Sequence, residues 1–185
     1  MVDYLNIPPE QRRDFAVVKG EDGELPPPRD GARTPMQWDD SVHAGFSFGK
    51  DVEPYLPVNG NYKEVNVARQ LAEDDSILKF YIRLLEIRKK SEALTEGSWR
   101  SLIHYPYEHL AYVRETAEEK VLVIINFSYE KPFKVDEDIE PDNWLVLISN
   151  IQTAGKAIAL PKTLQPFEIT IFKKVRGKSD NKLSV

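Results

Sequence analysis

The residues of this chain best suited to chemistry lie in one stretch, residues 29–39, which we call the arginine segment. It contains two guanidinium groups, two carboxylates and an indole, carried by Arg29, Arg33, Asp30, Asp39 and Trp38. Aromatic rings stack on the apolar face of a sugar, while arginines and carboxylates bind its hydroxyl groups. The mixture therefore suits a polyhydroxylated ligand. The alternative is that Arg29 pairs with Asp30, or Arg33 with Asp39, and that these ion pairs only hold the segment in place.

The other polar groups offer weaker chemistry. The three histidines, His43, His104 and His109, lack the number and close spacing that a metal site requires. Acidic clusters such as 73–75 fall in expected turns or helix ends, where carboxylates are usually solvated. The sequence has no phosphate-binding glycine loop and no nucleophile elbow. Neither a metal nor a cofactor is therefore predicted.

The overall composition excludes several classes of partner. Thirty acidic residues against twenty-five basic ones give a net charge of −5, which disfavours nucleic acid and anionic membranes as partners. No apolar run approaches the roughly 20 residues of a membrane-spanning helix. The absence of cysteine excludes disulfides and thiolate nucleophiles. Together with the lack of a secretory signal at the N-terminus, it leads us to expect a cytoplasmic protein.

The elements that must position the arginine segment change in character along the chain. Residues 1–60 hold eight of the thirteen prolines and six of the nine glycines, so no long helix or strand is expected there. The same region is rich in aromatic residues, which a flexible linker does not need. We therefore predict a large surface loop up to about residue 64 that packs against another part of a protein.

Regular elements are predicted from residue 66 onwards. A short helix is expected at 66–72 with Asn66 as its N-cap, and a longer one at 75–90, where apolar residues recur every three or four positions. Beyond Gly97 the apolar residues recur every two positions, the period of a β-strand. Strands are predicted at 98–104, 109–115, 120–127, 131–135, 143–149, 156–160 and 167–174. The predicted fold class is mainly β, with a C-terminal antiparallel β-sandwich of the Greek-key type after a long loop and one or two helices.

A longer pattern around the arginine segment resembles a known family. Residues 29–47 read RDGARTPMQWDDSVHAGFS, which resembles the signature after the last barrel strand in α-glucosidases and oligo-1,6-glucosidases of the α-amylase superfamily. Residues 56–62, LPVNGNY, resemble the family's LPVNPNY, and residues 6–10, NIPPE, resemble the loop after the eighth barrel strand. The likeness covers nearly the whole chain.

The resemblance implies where this chain falls in such an enzyme. Members of the family have a (β/α)₈ barrel followed by a C-terminal β-sandwich, and their three catalytic carboxylates follow barrel strands four, five and seven. By alignment this chain begins after strand eight, so no catalytic residue is expected in it. Residues 1–95 would be the end of the barrel domain, 96–176 the β-sandwich and 177–185 a tail.

The resemblance also implies roles for the arginine segment. In glucosidases of this family the first arginine of the motif reaches the glucose at the non-reducing end of the substrate, and that position is Arg29 here. The expected role of Asp30, Arg33, Trp38 and Asp39 is to anchor the loop. The expected partners are the missing N-terminal barrel portion and, in the complete enzyme, an α-gluco-oligosaccharide.

The function expected from the resemblance is that of one portion of a retaining α-glucosidase, which supports the barrel and is inactive alone. Without the barrel, the apolar face of the helix at 75–90 must contact the sandwich, the loop or another copy of the chain. Self-association, or poor order in residues 1–64, is therefore expected. The alternative is a stand-alone carbohydrate-binding or scaffolding module that presents strand aromatics such as Trp99, Tyr105, Tyr107 and Trp144.

Overall fold

The structure is a computed structural model that describes residues 7–14, 29–47, 49, 51–102, 108–134 and 143–174. The chain divides into two compact units, Met1–Tyr81 and Ile82–Val185. We call them the N-terminal unit and the C-terminal unit and describe each by itself.

The N-terminal unit contains short helical turns rather than long elements, as its proline content predicts. Among its described residues, three 3₁₀-helices span Pro9–Gln11, Arg29–Ala32 and Val42–Gly45, and the first α-helix, α1, spans Val67–Ala72. Ile7, Ala44 and Leu56 are its buried apolar residues among those described. The loop thus contains buried apolar residues, although the spacing of its residues shows no period.

The sequence correctly predicts the two helices that follow the loop. Asn66 is the N-cap of α1, and its side-chain oxygen accepts the Arg69 N–H at 2.8 Å. Helix α2 spans Ile77–Lys90 and has its basic residues in the last turn, where they stabilise the helix dipole. No residue of α2 is buried, and Ile77 and Tyr81 are 82% and 58% exposed. In the described part of the chain, no helix has both the length and the apolar character needed to cross a lipid bilayer.

The C-terminal unit is mainly β, and after the last residues of α2 it contains a short helix, α3, at Glu92–Thr95. The strands are β1 Ser98–Ser101, β2 His109–Glu115, β3 Lys120–Asn126, β4 Phe133–Lys134, β5 Trp144–Ser149, β6 Ala157–Ile158, β7 Thr163–Leu164 and β8 Ile169–Lys174. Six of them form an antiparallel sheet in the order β1-β2-β3-β8-β5-β6, and β4 pairs with β7.

The core of this unit lies on one face of the six-stranded sheet. Register places Val113 opposite Leu122, Leu122 opposite Phe172 and Phe172 opposite Val146, so these side chains share that face. The cluster of buried residues there consists of Ala111, Val113, Leu122, Ile124, Trp144, Val146, Leu160, Leu164 and Phe172. Because Leu160 and Leu164 come from the β6–β7 region, this region covers the same face.

The opposite face of the sheet also carries buried residues, which is why β3 is apolar on both sides. Val121 and Val123 are buried there, and α3 lies against β2 and β3. The carboxylate of Glu119, in the β2–β3 turn, accepts the Ala93 N–H at 2.9 Å and the Ser91 hydroxyl at 2.7 Å. Lys173 on β8 places its ammonium 2.7 Å from the same carboxylate. One acidic side chain therefore joins α3 to the sheet.

The mainly β prediction is confirmed, with differences in detail. Strand β2 has the predicted bounds, and β3, β5 and β8 are one or two residues shorter. Strands β4 and β6 have only two residues, β7 was not predicted, and α3 was not predicted. The end of the first predicted strand lies in residues 103–107, outside the described residues. In the described residues we find one six-stranded sheet and one two-stranded sheet, not two sheets of similar size.

Candidate functional site

The arginine segment starts with a turn of 3₁₀-helix, Arg29–Ala32, that faces the stretch around Asp14. Two backbone N–H groups of that stretch, from Arg13 and Asp14, donate to Asp30 Oδ2 at 2.7 and 3.0 Å. Asp30 is only 1% exposed, so these bonds satisfy a carboxylate that water does not reach. Its position fits the predicted role of loop anchoring, which stays a prediction.

Arg29 forms an ion pair with Asp14 through two parallel hydrogen bonds. Its Nε lies 2.9 Å from Asp14 Oδ2 and its Nη2 lies 2.7 Å from Oδ1. The backbone N–H of Arg29 also donates to Oδ2 at 2.7 Å. The Asp14 side chain is 10% exposed and the Arg29 side chain 65%, so the Arg29 guanidinium is exposed to solvent while a largely buried carboxylate holds it in place. These bonds from Arg29, opposed by burial, hold the pKa of Asp14 well below its usual range.

Arg33 lies at the same carboxylate but more loosely. Its Nη1 is 3.7 Å from Asp14 Oδ1, and its side chain is 50% exposed. Within the described residues, the ion pairs of Arg29 and Arg33 are made with Asp14, and not with Asp30 or Asp39 as the sequence-based alternative proposed. The pairing inside the segment is therefore wrong, since the partner comes from 15 residues upstream of Arg29. No signal near Asp14 in the sequence indicates this pairing.

Trp38 is fixed through its backbone, while its ring is half exposed. The Trp38 N–H donates to the Ala44 carbonyl at 2.8 Å, and its carbonyl accepts the Ala68 N–H of α1 at 2.9 Å. Gln37 beside it donates from Nε2 to the Val65 carbonyl at 2.7 Å. The indole is 50% exposed. The segment is thus bound to the first turn of α1, with the ring available for contact.

Asp39 stabilises the tight turn that follows. Its Oδ1 accepts the Ser41 N–H at 2.9 Å and the Ser41 hydroxyl, and these bonds lower the pKa of Asp39. The turn continues through His43 and Ala44, which both have positive φ, to Gly45 at φ +68°. Non-glycine residues in this conformation are strained, so the turn must be held by its contacts.

The N-terminal unit also carries exposed apolar side chains. Arg13 stacks on the Tyr55 ring with its guanidinium carbon 5.5 Å from the ring centre. Among the described residues up to 55, the large apolar side chains about half exposed or more are Met36, Trp38, Val42, Phe46, Val52 and Tyr55. Such side chains provide stacking faces, and the exposed guanidinium groups of Arg29 and Arg33 provide hydrogen-bond donors.

The histidines and acids do not form a second site in the described residues. His43 lies in the strained turn and His109 on β2, and His104 lies outside the described residues. The described part of the chain contains no group of three histidine or acidic residues arranged to hold a metal ion. The chemistry that the described geometry supports is therefore hydrogen bonding and stacking.

Comparison with known proteins shows which enzymes this chain resembles in sequence. The family model described as "Alpha amylase, catalytic domain" matches residues 10–97. The oligo-1,6-glucosidase of Bacillus cereus is 43% identical over 146 residues, which are 78% of this chain and 25% of that protein. The trehalose-6-phosphate hydrolase of Bacillus subtilis (strain 168) is 33% identical over 146 residues, which are 78% of this chain and 26% of that protein. The chain thus spans about a quarter of the length of the curated relatives it matches.

Comparison with solved structures points to the same group of enzymes. The trehalulose synthase MutB from Pseudomonas mesoacidophila MX-45 superposes with a TM-score of 0.67 and 38% sequence identity, covering 79% of this chain and 26% of that one. Similarity in both sequence and structure extends over most of the chain, through the arginine segment and α2. The chain belongs to the α-amylase superfamily of glycoside hydrolases, as a relative of the oligo-1,6-glucosidases.

Proposed function

We propose that this chain works as the C-terminal portion of a retaining α-glucosidase-type glycoside hydrolase that acts on short α-glucosidic oligosaccharides. The observation that carries the proposal is the Arg29 guanidinium, which is 65% exposed and yet fixed by Asp14 at 2.7 and 2.9 Å. The similarity to oligo-1,6-glucosidases over 78% of the chain supports the same class of activity.

In this proposal Arg29 binds the sugar at the non-reducing end of the substrate. Sugar recognition at a chain end requires donors that keep their direction, and an arginine held on one edge satisfies this requirement. Nη1 of Arg29 has no acceptor within hydrogen-bond distance among the described residues, so its two N–H groups can meet hydroxyls. Arg33, Trp38, Asp39 and Asp30 hold the segment in place.

The chain is proposed to be inactive alone, because its nearest acids are already engaged. Retaining hydrolysis requires two carboxyl groups about 5 Å apart, one as nucleophile and one as acid and base. Asp30 is buried and bonded to two backbone N–H groups, and Asp14 is paired with Arg29. Neither carboxylate is free for either role. The catalytic carboxylates would come from the barrel portion.

Helix α2 supports a position at the end of a barrel domain. Its apolar side chains Ile77, Tyr81 and Leu85 are 82%, 58% and 49% exposed, which is unusual for an amphipathic helix unless another surface covers it. We propose that barrel strands cover it, that residues 1–95 end the barrel domain, and that the β-domain of 96–176 is a Greek-key sandwich. Without the barrel, this surface favours self-association.

The stand-alone binding module is less well supported. Trp144 is 1% exposed and packs against Phe172, with ring centres 6.4 Å apart, so it belongs to the core. Tyr105 and Tyr107 lie outside the described residues. Trp99 remains exposed at 60%, but a single ring on an edge strand is a poor platform for a sugar chain.

The test is hydrolysis of p-nitrophenyl α-glucoside by the purified chain, with and without the polypeptide encoded immediately upstream. We expect no activity from the chain alone and activity from the two polypeptides together. Arg29→Ala should reduce the activity of the mixture. Arg69→Ala should not, although Arg69 is a similarly exposed arginine in an ion pair. Hydrolysis by the chain alone, or full activity of the Arg29→Ala variant, would contradict the proposal.

A further inference from the structure

The Asp14 carboxylate accepts hydrogen bonds from Arg29, on the 3₁₀-turn, and forms a longer ion pair with Arg33, the residue after that turn. Arg29 contributes Nε, Nη2 and its backbone N–H, and Arg33 contributes Nη1 at the longer distance of 3.7 Å. Asp14 is 10% exposed while both arginines are at least half exposed. The carboxylate therefore lies beneath the two guanidinium groups and between them.

The backbone around Asp14 is itself fixed by the arginine segment. Asp30, next to Arg29, accepts the N–H groups of Arg13 and Asp14, while Asp14 accepts the N–H of Arg29. Each aspartate thus binds the backbone beside the other. This reciprocal arrangement fixes the distance between the two stretches independently of the side-chain ion pair.

We propose that Asp14 is a positioning residue for substrate binding, which sets the orientation of the Arg29 guanidinium and keeps Arg33 close beside it. The proposal rests on the proposed function of Arg29. Bonding through Nε and Nη2 directs Nη1 away from Asp14, so the free N–H groups point to one side only. The negative charge of Asp14 also offsets the repulsion between two neighbouring arginines.

The first test is a double-mutant cycle in the active mixture of this chain with its upstream polypeptide. Asp14→Asn keeps the size of the side chain but removes its charge, so we expect KM for p-nitrophenyl α-glucoside to rise about tenfold, the loss typical of one charge-assisted hydrogen bond. Because Asp14 acts through Arg29, the double variant should be no worse than Arg29→Ala alone. Asp14→Glu should recover part of the loss. Asp74→Asn, which removes another paired aspartate, should leave KM unchanged.

Outcomes of the cycle separate this proposal from the function on which it rests. If Arg29→Ala changes KM and Asp14→Asn does not, or if their effects multiply, Asp14 is not a positioning residue. If Arg29→Ala has no effect, the proposed function of Arg29 fails instead. Equal unfolding midpoints of the Asp14→Asn and wild-type chains would exclude general destabilisation as the cause of a raised KM.

The second test uses the chain alone and does not depend on activity. In a ¹⁵N NMR spectrum the Arg29 Nε–H, assigned with Arg29→Lys, should exchange slowly with water, since it is bonded to Asp14 at 2.9 Å. Asp14→Asn should speed that exchange about tenfold, whereas Asp74→Asn should leave it unchanged. An Arg29 Nε–H that exchanges equally fast in all three chains would overturn the proposal.

Discussion

The carboxylate of Asp39 occupies the space in which a β-carbon at position 45 would stand. A Cβ built on Gly45 would lie 2.7 Å from Asp39 Oδ1, and Gly45 also has φ +68°. Two independent constraints, one steric and one conformational, thus require glycine at this position.

Gly45→Ala should destabilise the N-terminal unit by about 1–3 kcal/mol, because strain at positive φ and displacement of Asp39 act together. The measurement is urea unfolding followed by tryptophan fluorescence. Gly60→Ala is the matched control in the same unit, since nothing lies within 4 Å of its added Cβ. An unfolding midpoint for Gly45→Ala equal to that of Gly60→Ala would show that the turn relaxes at no cost.

Removal of the α1 N-cap should loosen the contact between α1 and the arginine segment. Asn66 is 5% exposed, accepts the Arg69 N–H and donates from Nδ2 to the Tyr62 carbonyl at 2.8 Å. Asn66→Ala should cost about 1–2 kcal/mol in the free energy of unfolding. Asn66→Asp keeps the accepting oxygen and should recover part of that loss. If both variants unfold at the wild-type urea concentration, the cap does not contribute to stability.

Glu119 should make the C-terminal unit sensitive to acid. Burial disfavours its charge, but the bonds from Lys173, Ala93 and Ser91 outweigh that effect, and its pKa is lowered from the ordinary 4.5. Because the folded-state pKa is the lower one, the stabilisation is complete above about pH 4.5 and is lost as pH falls through the folded-state pKa.

Glu119→Gln should therefore cost about 1–3 kcal/mol at pH 7 and flatten the fall in unfolding free energy below pH 4.5. Circular dichroism during urea titrations at several pH values measures both effects. Glu130→Gln, at an exposed acid in the β3–β4 turn, is the control. If the unfolding free energy of Glu119→Gln falls with decreasing pH as steeply as that of wild type, the pH dependence arises from other carboxylates.

Asn126, at the end of β3, should be among the costliest polar positions to change. It is 1% exposed, and its Nδ2 donates to the carbonyls of Lys131 and Gln165 at 2.9 and 3.0 Å. Asn126→Ala leaves these acceptors without a donor and should cost about 3 kcal/mol. Asn126→Asp should be equally unstable at pH 7 and recover at low pH, when the protonated acid can donate. Thermal unfolding at both pH values provides the comparison.

Elements with a clear local pattern follow the sequence-based prediction closely. Strand β2 has the predicted bounds because alternating apolar residues end at the charged turn after Glu115. Helix α3 was missed because four residues carry no period, and its N-terminus depends on Glu119, 28 positions after Ser91. Ser91 also caps α3 locally, with its hydroxyl oxygen accepting the Leu94 N–H at 3.2 Å, but the contact with Glu119 is a tertiary effect that a local window does not contain.

The same limit applies to the candidate site. The residue types of the arginine segment indicate hydrogen bonding and stacking, and the exposed Arg29 and Trp38 are consistent with that chemistry. Asp14 was not singled out, because the stretch between it and Arg29 has no period from which their distance could be inferred. Sequence proximity alone predicts pairing of neighbours such as Arg29 and Asp30, whereas their side chains bind different groups.

The order of strands in the six-stranded sheet has a consequence for synthesis on the ribosome. Strand β8 lies between β3 and β5. Leu122 on β3 and Val146 on β5 both pair with Phe172 on β8, so neither pair can form until β8 has been synthesised. Until Ile169–Lys174 has left the exit tunnel, β3 and β5 each present an unpaired edge to solvent or to a neighbouring chain. The sheet of this unit therefore closes late in translation, and a ribosome that stalls before residue 169 would leave a nascent chain prone to aggregation.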